Sequence, residues 1–349
     1  MPLIKTRGAA SSQGFGQFAL AVSGGDGTKG IFQLGSNNFG TRTTVRNKYT
    51  YACCTSTACG VGAASCANRW GSAAGNATRG IFALGCTCNI INNNLIRNKY
   101  TYATCASTAC GVGTQSCGTF AGSAAGNATR GIFALGVKFL NSNQLNFRKL
   151  EKYTYSTCTS TALSAPAILT TNTGYGAAAG NSTRGIFALG RNWYFCVCAC
   201  TFVANASNIR NKYTYACDTV TACGVATSSG NSMGASAAGN STRGIFALGA
   251  FSGCPCFGNI TATRNKYTYS TCTSTASGVG SASSASYQGS ATGNSTRGIF
   301  QIGCRTSGCI AIRNKYTYST CTSTACGVAN ASANSKRSAA ASWATGVNT

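Results

Sequence analysis

The sequence predicts an all-β chain folded as a β-propeller of six four-stranded blades, each about 50 residues long. Three observations carry this. The phrase Gly-Ile-Phe-(Ala/Gln)-(Leu/Ile)-Gly occurs six times, starting at Gly30, Gly80, Gly131, Gly185, Gly244 and Gly298, with spacings of 50, 51, 54, 59 and 54 residues. A second phrase, Lys-Tyr-Thr-Tyr, follows each copy, its first Tyr at Tyr49, Tyr100, Tyr153, Tyr213, Tyr267 and Tyr316. The strand in the first phrase is apolar on both faces, with Ile299 on one and Phe300 and Ile302 on the other, so it needs cover from two sides. Blades of a propeller give that cover to each other.

Within one unit the elements read in order. Residues 286–292 (SYQGSAT) are small enough for the crowded strand next to a propeller axis. Residues 293–297 (GNSTR) form a turn, and 298–303 (GIFQIG) a short apolar strand. A variable loop follows, then the strand 313–319 (RNKYTYS), then a Thr/Ser/Cys-rich strand over 320–328. Alternation puts Asn314, Tyr316 and Tyr318 on one face of the Tyr strand and Arg313, Lys315 and Thr317 on the other. The β pattern excludes a helical solenoid, and the repeat is too long for a β-solenoid coil. Residues 331–349 resemble a further copy of the first strand, available to latch the ring, and residues 8–29 look like a first strand as well; seven blades, one truncated, is the alternative architecture. The chain divides into an N-terminal attachment segment, 1–16, and the propeller with its closing strand, 17–349.

Missing residue types exclude most enzyme chemistry. The chain has no His, and its only acids are Asp26, Glu151 and Asp218, so no His-based triad, carboxylate pair or His/carboxylate metal cage can be built. A non-enzymatic protein without cofactor or metal is expected. Against the 3 acids stand 28 Lys and Arg, a net charge of +25 that attracts polyanions. Specific nucleic-acid reading is not expected, since the repeats add no inserted helix. The longest apolar run, 194–204, is about half of the roughly 20 residues a membrane-spanning helix needs, and residues 1–16 hold no secretory apolar core. No membrane insertion is expected.

Much of the charge is built into the repeat. Lys29, Arg79, Arg130, Arg184, Arg243 and Arg297 each precede an apolar strand, and the Tyr strands carry Arg46, Lys48, Arg97, Lys99, Lys152, Arg210, Lys212, Arg264, Lys266, Arg313 and Lys315. These residues form basic rings, read either as a solvated face that prevents edge pairing or as a docking surface for a polyanion. The third repeat differs, with Leu150-Glu151 in place of Arg-Asn. The variable loops, 10, 11, 13, 19, 14 and 9 residues long, all leave the same side of the disc. Candidate ligand- or partner-binding residues lie there: Arg191, Trp193, Tyr194, Phe195 and Phe202 in the longest loop, Lys138 and Phe139 in the third, Phe251 in the fifth and Arg305 in the sixth. Aromatic rings among polar groups suit a sugar or protein surface; the other reading is that they pack into a loop core or extend the hairpin.

The 22 Cys lack the C-x2-C knuckles of a zinc site in their clusters and read as small apolar filler, with scattered disulfides second. Five Asn-x-Thr sequences, at Asn76, Asn127, Asn181, Asn240 and Asn294, are explained by turn chemistry without glycans.

The order of features, a small-residue strand, an apolar strand ending in Gly, a variable loop and an aromatic strand, resembles the kelch repeat from about residue 8 to the end. The single Gly and the absent late Trp depart from that pattern, and without His the copper chemistry of kelch-like oxidases does not carry over. Units of the GNSTRGIFALG/RNKYTY type are similar to kelch-like proteins of bacteriophage and bacteria, and residues 4–16 (IKTRGAASSQGFG) look like the start of phage tail and tail-fibre proteins. The resemblance implies a virion structural protein of the tail or capsid surface, assembled in the host cytoplasm, which presents its loop face to host surface polysaccharide or another virion protein. A bacterial protein-interaction propeller is the alternative.

Overall fold

The structure is a computed structural model that describes residues 28–37, 41–58, 60–85, 95–109, 111–140, 143–188, 190–196, 201–222, 224–251, 259–325 and 327–342. Six four-stranded antiparallel blades follow one another in a six-bladed propeller, the sheet of blade 3 carrying two further strands, Val137–Leu140 and Ile168–Thr173, and the described residues contain no helix. Blades 1 to 6 are numbered here by their second strands, Lys29–Gln33, Arg79–Ala83, Arg130–Ala134, Arg184–Ala188, Arg243–Ala247 and Arg297–Arg305. Blade 2 shows the plan, with inner strand Ser72–Gly75, second strand Arg79–Ala83, third strand Arg97–Thr101 and outer strand Ala106–Thr108.

The ring is latched by the end of the chain. Ala339–Ser342 supplies the inner strand of blade 1, with Gly30 opposite Ser342 and Gln33 opposite Ala339. This is the closing role expected for the C-terminal copy, and it completes six blades rather than seven. Residues 1–27, which include the attachment segment and most of the other candidate first strand, lie outside the described residues.

Each blade is too apolar to stand alone, and each interface is a separate small core. Ile81 of blade 2 packs with Phe133, Tyr153 and Tyr155 of blade 3; Ile245 of blade 5 packs with Phe300, Tyr316 and Tyr318 of blade 6. The same trio meets Ile299 across the closing interface, as Phe32, Tyr49 and Tyr51. The Ile face of every second strand thus looks at the next blade and its Phe face at the previous one. At about 1.5–3 kcal/mol for each fully buried large apolar side chain, these contacts are the main stabilising term. Inner strands meet at the axis through Ala73, Ala124, Ala178, Ala237, Ala291 and Ala340, whose methyl groups leave a cavity of about 40 Å³.

The second Tyr of the Lys-Tyr-Thr-Tyr phrase explains two glycines in blades 3 to 6. Tyr269 lies across its own blade, so a Cβ on Gly244 would come 2.9 Å from its hydroxyl and one on Gly239 would come 2.7 Å from it. In this blade two residues without side chains let the phenol reach the inner strand.

The arginines of the Tyr strands are where structure and charge pattern differ. Arg46, Arg97, Arg210, Arg264 and Arg313 are at most 1% exposed, so they form no outward ring. Each clasps the next blade. Arg264 lies 4.4 Å over the Phe300 ring, donates to the Gly280 and Ser281 carbonyls, and reaches Asn314 Oδ1 at 3.3 Å. Burial lowers its guanidinium to about 10. Arg313 repeats these contacts on Phe32 and Asn47, across the closing interface. In blade 3 the exception is compensated on both sides. Leu150 fills the arginine position within the core of Ile132, Phe187 and Tyr213, and Glu151 replaces the asparagine and forms a fully buried ion pair with Arg97.

The Asn-x-Thr turns also join blades. Asn181 Oδ1 accepts from the N–H groups of Thr183 and Arg184, while its amide donates to Ser241 O in the next blade. Asn76, Asn127 and Asn240 reach Ala128, Ser182 and Ser295 in the same way.

Candidate binding site at the mouth of the propeller

An inner strand begins at the end of the blade where its second strand finishes and the variable loop starts. The residues leading into the inner strands therefore surround the axis on the loop face. Bridges of Phe120 to Val137, Met233 to Ala250 and Tyr287 to Cys304 fix that adjacency. One residue in each lead-in takes a left-handed conformation: Trp70, Ala121, Tyr175, Gly234, Gln288 and Arg337, with φ between 55° and 62°. Their backbones close a cycle around the axis, each N–H donating to the carbonyl of the corresponding residue one blade back at 2.7–2.8 Å, with Trp70 N–H closing on Arg337 O.

Left-handed backbone at a bulky residue costs about 1–3 kcal/mol and persists where the surroundings over-determine it. The cyclic hydrogen bonds do so here. They hold six different side chains at equivalent positions around an axial cavity of about 60 Å³. Where blades pack, the repeat is nearly uniform; at this rim it is not.

One sector is aromatic and cationic. The guanidinium of Arg69 lies 4.2 Å from the Trp70 ring and that of Arg337 lies 4.1 Å from it. Trp70 also meets Phe120 at 5.1 Å and Tyr175 at 5.9 Å, and Arg337 donates from Nε to Gln288 Oε1 at 3.1 Å. Ser36 bridges to both Arg42 and Lys336, which brings these two cations beside the sector. Burial and then the charge of Arg69, with Arg42 adding to it, bring Arg337 down to about 10; burial with the charges of Arg337 and Arg69 lowers Lys336. Four cations thus repel one another here. The two described carboxylates are engaged elsewhere, Glu151 with Arg97 and Asp218 with Arg130 and Lys152. Exposed apolar side chains, Val45, Leu95 and Ile96, stand on the same face, just ahead of two third strands.

The residues singled out from sequence are distributed as follows. Arg191 is buried, 5.2 Å over the Tyr175 ring with Nη1 3.8 Å from Met233 Sδ, so it supports the rim instead of extending from the loop. Arg305 donates from Nε to Ser284 Oγ at 2.9 Å, on the connection from blade 5 into blade 6, and Lys138 is half-buried on the strand Val137–Leu140. Trp193, Tyr194 and Phe195 lie on a strand paired with Thr201–Ala206, Phe195 opposite Phe202, so the longest loop continues as a hairpin. Phe139 and Phe251 also fall on strands, at Val137–Leu140 and Ala250–Phe251. The side chains of these aromatics lie outside the described residues.

The basic residues before the apolar strands open at the opposite end of the blade. Arg79, Arg184, Arg243 and Arg297 are half-buried and donate to Tyr155, Tyr269, Tyr318 and Tyr51 carbonyls of the next blade at 2.8–3.1 Å. Arg130 donates to Tyr215 O and to Asp218, and Lys29 holds the equivalent, half-buried place in blade 1. Sequence reasoning passed over the axial rim because it lies within the small-residue segment. The signal was there: the residue before each (Gly/Ala/Ser)-(Ser/Ala) pair changes from Trp to Ala, Tyr, Gly, Gln and Arg while its neighbours barely change.

No family model matches the chain, and no curated protein matches its sequence. Among the described residues no three Cys, Asp or Glu side chains gather as a metal site requires, and no helix is long and apolar enough to cross a membrane.

Proposed function

We propose that the chain is a non-enzymatic display scaffold of a bacteriophage particle, at the tail or capsid surface, and that its loop face binds an acidic host-surface polysaccharide. The observation that carries the binding reading is the axial sector, where Arg42, Arg69, Lys336 and Arg337 crowd around Trp70 with the described carboxylates placed elsewhere. An anionic group relieves their mutual repulsion, guanidinium forks match carboxylate or sulfate oxygens, and an indole suits the apolar face of a sugar ring. The virion assignment is supported by the resemblance of residues 4–16 to phage tail proteins and by the kelch-like repeat.

An array of acidic and neutral glycans tests the binding, with three variants that borrow side chains from this chain's own rim. Trp70→Ala copies blade 3, Arg337→Gly copies blade 5, and Arg69→Ala removes the second guanidinium. Acidic glycans are expected to bind and each variant to weaken them about tenfold, equivalent to about 1.4 kcal/mol. Capture of particle proteins with no glycan bound would instead favour docking within the virion, and absence of the chain from purified particles would support an interaction propeller of the host bacterium.

A further inference from the structure

The turn after each Tyr strand holds one residue in left-handed conformation. In blade 4 it is Asp218; in the other five it is Cys54, Cys105, Cys158, Cys272 or Cys321, all with φ between 52° and 57°. Asp218 shows what the position accepts. Its carboxylate is held by Arg130 Nη1 at 3.1 Å and Lys152 Nζ at 2.6 Å, both from the previous blade, and by the hydroxyl of Tyr213. Burial raises the Asp218 carboxyl, and the hydrogen bonds of Lys152 and Tyr213 with the charges of Lys152 and Arg130 outweigh it, leaving it below its usual range.

Four of the cysteine blades keep the arginine of this cradle beside a weaker acceptor. Arg79 Nη1 lies 3.6 Å from Cys158 Sγ, Arg184 Nη1 3.8 Å from Cys272, Arg243 Nη1 3.7 Å from Cys321 and Arg297 Nη1 3.9 Å from Cys54. The buried phenols equivalent to Tyr213, namely Tyr49, Tyr100, Tyr153, Tyr267 and Tyr316, face the thiols without a well-formed hydrogen bond. The Tyr213 hydroxyl, opposite a carboxylate, does form one. All five cysteines are half-exposed, so a small oxidant reaches them.

We infer that Cys54, Cys158, Cys272 and Cys321 are sites of oxidation by peroxide to the sulfinate, which is the sulfur analogue of the aspartate side chain and fits the place that Asp218 occupies beside Arg130 and Tyr213. Sulfur attacks one peroxide oxygen, the O–O bond breaks, and the departing hydroxide takes the thiol proton as water, leaving sulfenic acid. A second peroxide repeats the step and yields sulfinate, one proton and a second water. Sulfur gives up four electrons, two to each peroxide. The product adds a negative charge facing a guanidinium and supplies the acceptor that the buried phenol lacks.

Peptide mapping of the folded protein after graded hydrogen peroxide tests the inference. Cys117 serves as the control, being half-exposed and outside these left-handed turns. The four arginine-facing cysteines are expected to gain two oxygens each at lower peroxide than Cys117, and Cys158→Asp to raise the melting temperature by roughly 2 °C or more. Adding Tyr153→Phe should remove part of that gain. Equal or faster oxidation of Cys117, or a lower melting temperature for Cys158→Asp, would overturn the inference.

Discussion

Arg97 and Glu151 show how a single exchange is absorbed at the residue scale. Elsewhere the clasping arginine reaches a neutral asparagine, as Arg264 does with Asn314. Blade 3 puts a carboxylate there, and the buried charge gains a full partner. Removing one member of such a pair strands the other, at about 3–5 kcal/mol. Glu151→Ala is therefore expected to lower the denaturant midpoint strongly, whereas Glu151→Asn, which restores the residue of the other blades, should cost much less. In the same way Arg264→Leu, which copies Leu150, should destabilise less than Arg264→Ala, which leaves a cavity as well. None of this burial was legible in the sequence. An Arg-Asn-Lys triplet on an alternating strand reads as charge facing water, and only the presence of an aromatic blade on both sides turns Arg313 inward, onto Phe32.

At the scale of the element, the pairing of tyrosine with glycine can be tested directly. Gly244→Ala would place a methyl group 2.9 Å from the Tyr269 hydroxyl and 3.1 Å from Ala179 Cβ. A loss of about 1–3 kcal/mol is expected from overpacking, and Tyr269→Phe in the same chain should recover part of it, measured as a double-mutant cycle. The strands themselves were plain in the sequence, because Ile-Phe and Tyr-Thr-Tyr alternate with period two and Gly-Asn marks the turn between them. The rim was not. A left-handed Trp70 or Arg337 follows no local preference of those residues; it is imposed by a hydrogen-bond cycle whose members lie a blade apart in sequence.

For the whole molecule, closure depends on four residues at the end of the described chain. Deleting the chain from Ala339 onward removes the inner strand of blade 1 and should turn one cooperative melting transition into early, broad unfolding seen by circular dichroism. The number of blades was countable in advance because the repeat phrases are nearly identical; which terminus closes the ring depends on pairing across the whole chain. Response to pH is also a property of the assembled ring. With no His and three acids, little titrates between roughly pH 5 and 8, so the melting temperature should be level there. Burial raises eleven tyrosines above their usual 10, so the unfolded chain releases their protons before the folded one does. Their contribution is complete below pH 10 and is lost as pH rises beyond it. The buried arginines, lowered to about 10, oppose this trend in the same range but are fewer. The tyrosinate absorbance of these eleven should therefore rise together with unfolding and not ahead of it.

The most direct measurement is a structure of the protein with a bound acidic oligosaccharide. Density against Trp70, Arg69 and Arg337 at the axial mouth is the expected result; density confined to the opposite face, beside the Asn181 and Asn240 turns, would contradict the account.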